Sequence, residues 1–327
     1  MDKEAVVRKF GLSDVSHISE FGTGHINRTF LVTCESGKKY ILQSLSGSVF
    51  RSPETVMGNI AKICRIFESA ENKRVAVPRY LQTDEGALFA VSGKEVCRIY
   101  EYSEGGDATG EFYDAGFAVG AYIRSISDKN LKLDNVIENF HSYSSYFSRL
   151  ELLNKESVLK KLDDSVMKKL SGLGTALEQV FTVDLPKRNI HNDAKRDNII
   201  FGEIPVIIDL DTTMTGYTAI DFGDLVRSSA GTDASALTVI GDIARGFADG
   251  LEGCLTDAEI NSLYYGILYV TGELAVRYLM DYLSEEHYFR DKTPAQCLKR
   301  ANELLEQLGF YISQKDSITE IIISKFH

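Results

Sequence analysis

The dominant hydrophobic period of this chain shifts near residue 100 from two to helical, and that change limits the fold more than any other feature. Before it, apolar and polar residues alternate at period two in "HISEFG", "NRTFLVTC" and "KKYILQSL", with "TGH" and "ESGK" between them as turns. The pattern predicts an antiparallel three-strand meander with a glycine-bearing first turn. Residues 1–11 read as a short helix leading into it. "SPETVMGNIAKICRIFESA" then reads as a helix. Ser52 can cap it, Pro53 suits its first position, and Val56, Ile60, Ile63 and Phe67 form one apolar stripe. Two or three more strands are expected in "RYLQTDEGALFAVSGKEVCRIYEY".

After "EYSEGG" the texture is helical. No proline lies between Pro78 and Pro186, so nothing forces a break in the patterns over residues 111–187. From Asp221 onward the helical period returns. "EINSLYYGILYVTGELAVRYLMDYL" is apolar enough for a central core helix or helix pair, and Ile318, Ile321, Ile322 and Phe326 in the last helix should pack back onto it. The expectation is an α+β chain of two lobes. Residues 1–100 form a small antiparallel sheet with one helix, and residues 101–327 a larger, mostly helical lobe, with the boundary near residues 98–106. A chain of 327 residues is long enough for both.

A net charge of -11 disfavours nucleic acid and anionic membranes as partners. The longest apolar run, "LYYGILYV", is too short to span a bilayer. The five cysteines are scattered without a C-x-x-C pair, so neither a zinc site nor a disulfide framework is indicated. "MDKEAVVRKF" is charged and amphipathic, unlike a signal peptide, and cytoplasm is the default expectation.

The helical half is interrupted by "NIHNDAKRDNIIFGEIPVIIDLDTTM", residues 189–214. It sets Asp193, Asn198, Asp209 and Asp211 among Ile and Val. Phosphoryl transfer needs positioned groups and charge neutralisation more than covalent chemistry. Asp193 could orient an acceptor hydroxyl and take its proton. Asn198, five residues on, could return a neutral oxygen to the same cavity, which suits magnesium. Asp209 ends a strand-like run and ranks first for metal. Asp211, if the segment is extended, points the same way and could bind metal or substrate. His191 is expected to brace the loop and Asp221 to cap the following helix. Asp224 and Arg227 look like a surface i,i+3 pair. The "DFG" text at 221–223 follows the metal acids and would open a helix. The alternative is a polar loop whose acids only cap helices.

With these parts in order, the chain resembles the aminoglycoside phosphotransferase and choline kinase superfamily, which has a bilobal protein-kinase-like fold. "FGTGHINRTF", "YILQSLSGSVF", "RIYEYSEG", "HNDAKRDN", "IDLDTTMTGY", "DFGDLVRS" and "ELAVRYLMDYL" resemble its N-acetylhexosamine 1-kinase branch in particular. The resemblance implies ATP as phosphoryl donor and Mg2+ as cofactor. Asp193 would be the catalytic base, with Asn198 and Asp209 on the metal. Gly22, Thr23 and Gly24 would form the turn over the phosphates. Tyr100, Glu101 and Tyr102 would be the hinge whose backbone reads adenine, or simply lobe-interface packing. Gln43 occupies the place of the usual strand-three lysine, which leaves Arg28 and Arg51 as candidate cations. A partner Glu on the following helix is not evident. Asp211, Arg277, His25 and Tyr288 would contact an amino sugar, phosphorylated at its anomeric hydroxyl; Arg277 could instead pair with Glu273 at i-4. Kinases of an aminoglycoside, choline or another sugar stay open, as does a non-catalytic nucleotide-binding module. Oligomeric state is not legible.

Overall fold

The computed structural model describes residues 2–22, 27–47, 50, 52–69, 74–105, 111–127, 131–157, 161–182, 184–285, 288–289 and 291–327. Thr23, Gly24, His25 and Arg51, singled out above, lie outside them. A short helix α1 (Lys3–Lys9) is capped by Asp2, whose Oδ1 accepts from Ala5 N at 3.1 Å. Strands β1 (Val15–Glu20), β2 (Arg28–Cys34) and β3 (Lys39–Ser44) form the expected meander. Helix α2 (Pro53–Ser69) follows, with Ser52 Oγ accepting from Thr55 N. Strands β4 (Ala90–Ser92) and β5 (Glu95–Glu101) complete an antiparallel sheet of order β1-β2-β3-β5-β4.

The sheet separates two apolar clusters. On one side Val6, Val7 and Phe10 of α1 pack with Phe30, Val32, Leu42 and Ile99. The stripe of α2 (Val56, Ile60, Ile63 and Phe67, none more than 6% exposed) belongs to the other cluster, which is continuous with the helical part of the chain. Its removal from water there is the main force holding α2 in place.

The larger part comprises α3 (Glu111–Ile126), α4 (Tyr143–Glu156), α5 (Asp164–Val180), α6 (Thr218–Ser229), α7 (Ala236–Leu251), α8 (Asp257–Leu283), α9 (Pro294–Ser313) and α10 (Lys315–Phe326). α8 is one helix of 27 residues, started by a Thr256–Glu259 capping box. Two helix contacts are closed by glycine. A Cβ on Gly116 of α3 would lie 2.2 Å from the Ile243 carbonyl oxygen, and one on Gly246 of α7 2.0 Å from that of Tyr113. Where α6 meets α8, a Cβ on Gly266 would lie 1.9 Å from the Ala219 carbonyl oxygen. Backbones touch at these seams, so a methyl group has no room.

The interrupting segment enters through β6 (Arg188–Ile190), which pairs with β9 (Met214–Gly216). Between them β7 (Ile199–Ile200) and β8 (Val206–Ile207) form the expected short hairpin. Among the described residues no helix is long and apolar enough to cross a membrane.

Candidate active site

The loop at residues 191–198 is fastened from below before it presents anything. Asp221 does not cap α6. It lies within the helix's first turn, fully buried, and its carboxylate accepts from the backbone N–H of both His191 and Asn192 at 2.7 Å. Burial pushes Asp221 up to about 6 even so, because desolvation exceeds the help from His191 and the two N–H groups. Asn192 takes φ +63°, and its Nδ2 donates to the carbonyls of Thr212 and Met214 at 3.1 and 3.2 Å. His191 Nε2 donates to Ile208 O at 2.9 Å, and its Nδ1 accepts from Asp193 N at 3.3 Å. Asp224 and Arg227 do pair, at 2.6 Å, but their side chains are only 11% and 9% exposed, so the pair is internal and not a surface one.

On this base Asp193 stands with its side chain 31% exposed. Lys195 Nζ donates to its Oδ2 at 2.7 Å, and Asn198 Nδ2 donates to the same oxygen at 3.0 Å. Burial works against ionisation here, but the Lys195 charge and hydrogen bond outweigh it and hold the carboxyl below its ordinary value. The carboxylate is therefore ionised at neutral pH. Asp209 is the opposite case. Burial first, then the nearby Asp211 and Asp193 charges, push it up to about 7. It does not end a strand as expected; it takes a left-handed φ of +59° at the head of a 3-10 turn over Leu210–Thr212. A non-glycine residue held there is strained, and such strain collects at functional sites.

A magnesium ion fits this donor set. Asp209 is an acid among acids, which a cation would relieve. Asn198 uses its Nδ2 on Asp193, so its Oδ1 is the end left for a cation. Among the described residues no three His, Cys, Asp or Glu converge on a metal position. Magnesium needs no such cage, since it keeps waters and takes one or two protein oxygens plus phosphate.

Other expected contacts are placed differently. Asp211 is only 3% exposed, and its segment is a 3-10 turn and not the extended one on which a shared direction with Asp209 was expected. Its Oδ1 is in close contact with Arg98 Nη1, and its Oδ2 accepts from Asn27 Nδ2 at 2.7 Å. Gln43 is engaged within the sheet: its Nε2 donates to Thr29 Oγ1 at 3.1 Å and its Oε1 accepts from Arg98. Arg28, 62% exposed, pairs with Glu95 at 3.3 Å. In the expected hinge, Glu101 N donates to Arg79 O and Tyr102 N to Lys39 O, so neither N–H is open to a base. Tyr100 packs on Tyr80 with ring centroids 5.2 Å apart. Gly22 does take the left-handed φ of +75°.

Arg277 and Tyr288 meet. The guanidinium lies 4.5 Å from the Tyr288 ring centroid and also faces Tyr146 and Phe289. Its ion pair with Glu273 at i-4 exists but is loose, at 3.7 Å.

A sequence model described as the phosphotransferase enzyme family matches residues 17–255. The chain belongs to this phosphotransferase family. Solved structures agree on the fold. An aminoglycoside phosphotransferase from Alicyclobacillus acidocaldarius subsp. acidocaldarius DSM 446 superposes with a TM-score of 0.64 at 15% identity, over 97% of this chain and 96% of that one. A microcompartment-associated aminopropanol kinase gives 0.69 at 15% identity, covering 96% and 98%. An amicoumacin kinase in complex with AMP-PNP, Ca2+ and Ami gives 0.65 at 16% identity, covering 94% of each.

Four residues of this phosphotransferase were no part of the sequence expectation: Lys195, Arg98, Asn27 and His141. The signal for Arg98 was present, an Arg inside the apolar run "VCRIY". His141 had none. It lies in a loop at φ +53°, and its Nε2 donates to Asn192 O at 2.8 Å while Nδ1 donates to Glu273 Oε2 at 2.9 Å. It therefore ties α8 to the residue before Asp193. Burial disfavours its charge, but Glu273 and the Asn192 carbonyl prevail and raise it from 6.5 to about 9.

The folded value exceeds the unfolded one, so the stabilisation is complete below pH 6.5 and is lost as pH rises through about 9. Across that window the wild type should lose up to roughly 3 kcal/mol of stability relative to His141→Gln. Urea unfolding at stepped pH measures this; parallel pH profiles for the two proteins would show that His141 is not charged in the fold.

Proposed function

We propose that this phosphotransferase is an ATP- and Mg2+-dependent small-molecule kinase acting on the anomeric hydroxyl of an N-acetylhexosamine. The observation that carries the kinase reading is an ionised, part-exposed Asp193 held by Asn198 and Lys195 beside the uncompensated acid Asp209. Asp193 orients the acceptor hydroxyl and takes its proton. Lys195, 2.7 Å from that base, puts a positive charge next to the path of the transferred phosphoryl group. Asn198 and Asp209 would hold Mg2+, which when bound offsets the negative charge of the phosphates. Residues 1–100 would serve the nucleotide, with the turn at Gly22 over its phosphates, and residues 101–327 the metal and acceptor.

The acceptor wall favours a neutral sugar. Arg277 is linked through Glu273 and His141 to Asn192, the neighbour of the base, and is faced by three aromatic rings. A guanidinium can donate to sugar oxygens while the rings cover apolar sugar faces. The same charge repels a cationic acceptor, which separates this site from one built for choline. The solved relatives named for aminoglycoside and aminopropanol keep amine-bearing acceptors as the second reading.

The test is phosphorus NMR on the protein with ATP, Mg2+ and a panel of N-acetylhexosamines, hexoses, choline and an aminoglycoside. An anomeric phosphate on an N-acetylhexosamine is the expected product. Phosphate on choline or the aminoglycoside alone would replace the substrate. ATP binding with no transfer to any of them would favour a non-catalytic module. Arg277→Met should raise KM for the sugar about 10- to 100-fold with KM for ATP unchanged, since one charged hydrogen-bonding partner is lost. Initial-rate kinetics would show it, and an unchanged sugar KM would remove Arg277 from the acceptor site.

A further inference from the structure

Gln43 is bonded to Thr29 and Arg98, and of these Arg98, on another strand, is the cation that contacts the turn after Asp209. Arg98 of β5 is the register partner of Gln43 on β3, and it is fully buried. Its Nε and Nη2 both donate to Gln43 Oε1, at 3.0 and 2.7 Å, and its Nη1 contacts Asp211. α2 offers it Met57, whose sulfur lies 3.9 Å from Nη1, and no acid there. The guanidinium is thus fixed as a planar fork between the sheet and the 3-10 turn that begins at Asp209.

Asp211 is held on its other oxygen as well. Asn27 Nδ2 donates to it at 2.7 Å, and Asn27 Oδ1 accepts from Ser46 N at 3.1 Å. Asn27 immediately precedes β2, and Ser46 follows β3. Both Asp211 oxygens therefore accept from the sheet side, and Arg98 already offsets the Asp211 charge.

Burying such a pair is not a route to stability, since two charges leave water and a well-packed apolar pair serves as well. Geometry is what the pair supplies. Asp209 keeps its left-handed φ of +59° two residues from this anchor, and strained backbone persists where surrounding contacts over-determine it.

We infer that Arg98, acting through Asp211, is the positioning residue that seats the metal-holding turn against the nucleotide side of the cleft. The inference rests on the proposed role of Asp209 and Asn198 in holding the metal. Arg98 touches neither metal nor nucleotide in this assignment. It fixes where Asp209 stands, and partners of this kind are worth about 10- to 100-fold in metal affinity.

The experiment measures Mn2+ binding in the presence of ADP by electron paramagnetic resonance, beside urea unfolding, for the wild type, Arg98→Met, Arg98→Lys and the double variant Arg98→Met with Asp211→Asn. Arg98→Met alone leaves a buried unpaired carboxylate and should lose stability. The double variant removes both charges and should recover most of that stability, yet still bind Mn2+ with ADP about 10- to 100-fold more weakly. Arg98→Lys, which keeps the charge without the fork, should fold and be weakened about tenfold. KM for the acceptor should not move. Wild-type Mn2+ binding in either the double variant or Arg98→Lys would overturn the inference, as would a loss confined to acceptor KM. A wild type that itself fails to bind Mn2+ with ADP would overturn the metal assignment beneath it, a result the variants cannot imitate.

Discussion

Asp193→Asn is expected to lower kcat by about a hundred- to ten-thousandfold while KM for ATP stays near its wild-type value. The amide matches the carboxylate in shape and can still accept from Asn198 and Lys195 through its oxygen. It cannot take a proton, so the loss falls on the step in which the acceptor hydroxyl becomes a nucleophile. Lys195 also loses its 2.7 Å ion pair, and its ammonium is then uncompensated beside the transferred group. Steady-state kinetics on the acceptor found by NMR would measure the effect. A rise in KM with kcat retained would show that Asp193 binds the acceptor without activating it.

Asp221→Ala should have the largest effect on the fold itself. The change orphans two buried N–H groups, those of His191 and Asn192, each now bonded at 2.7 Å. An unsatisfied buried donor costs about 1–3 kcal/mol, so the loss should reach about 3–5 kcal/mol. The loop that carries Asp193 would also lose its floor, and a misplaced base lowers kcat by about a hundredfold. Asp221→Asn keeps one acceptor oxygen and should lose less of both. Urea unfolding and kcat per folded molecule separate the two consequences. A destabilised variant with wild-type kcat would mean that the loop holds its shape without this floor.

The fold was legible because its signals are local. Period-two alternation in β2 and β3, the capped stripe of α2 and the long apolar pattern of α8 each depend on neighbours close in sequence. The spacing of Asp193, Asn198 and Asp209 was legible for a similar reason, since a motif is a local object. The partners were not. Asp211 finds Arg98 across 113 residues and Asn27 across 184, and no spacing rule reaches that far. Asp221 looked like a cap because it stands near a helix start, yet the donors it serves are 29 and 30 residues earlier. The turn at Asp209 defeated the extended-segment expectation because a left-handed aspartate has no hydrophobic period to announce it. Gln43 pointed to a missing charge but not to its own partner, Arg98 on the adjacent strand, 55 residues later.

The glycine seams determine how this molecule can move. Packed helices often adjust by shear, each sliding slightly over its neighbour on a cushion of side chains. At Gly116 and Gly246, and at Gly223 and Gly266, that cushion is absent and peptide groups of one helix rest on those of the next. Sliding would drive carbonyl oxygens over a facing backbone, so α3 is locked to α7 and α6 to α8. α2 has no such lock among the described residues: its stripe meets the same core through side chains. The sheet has no such seam to these helices among the described residues; what ties it to the turn at Asp211 is side chains, those of Asn27 and Arg98.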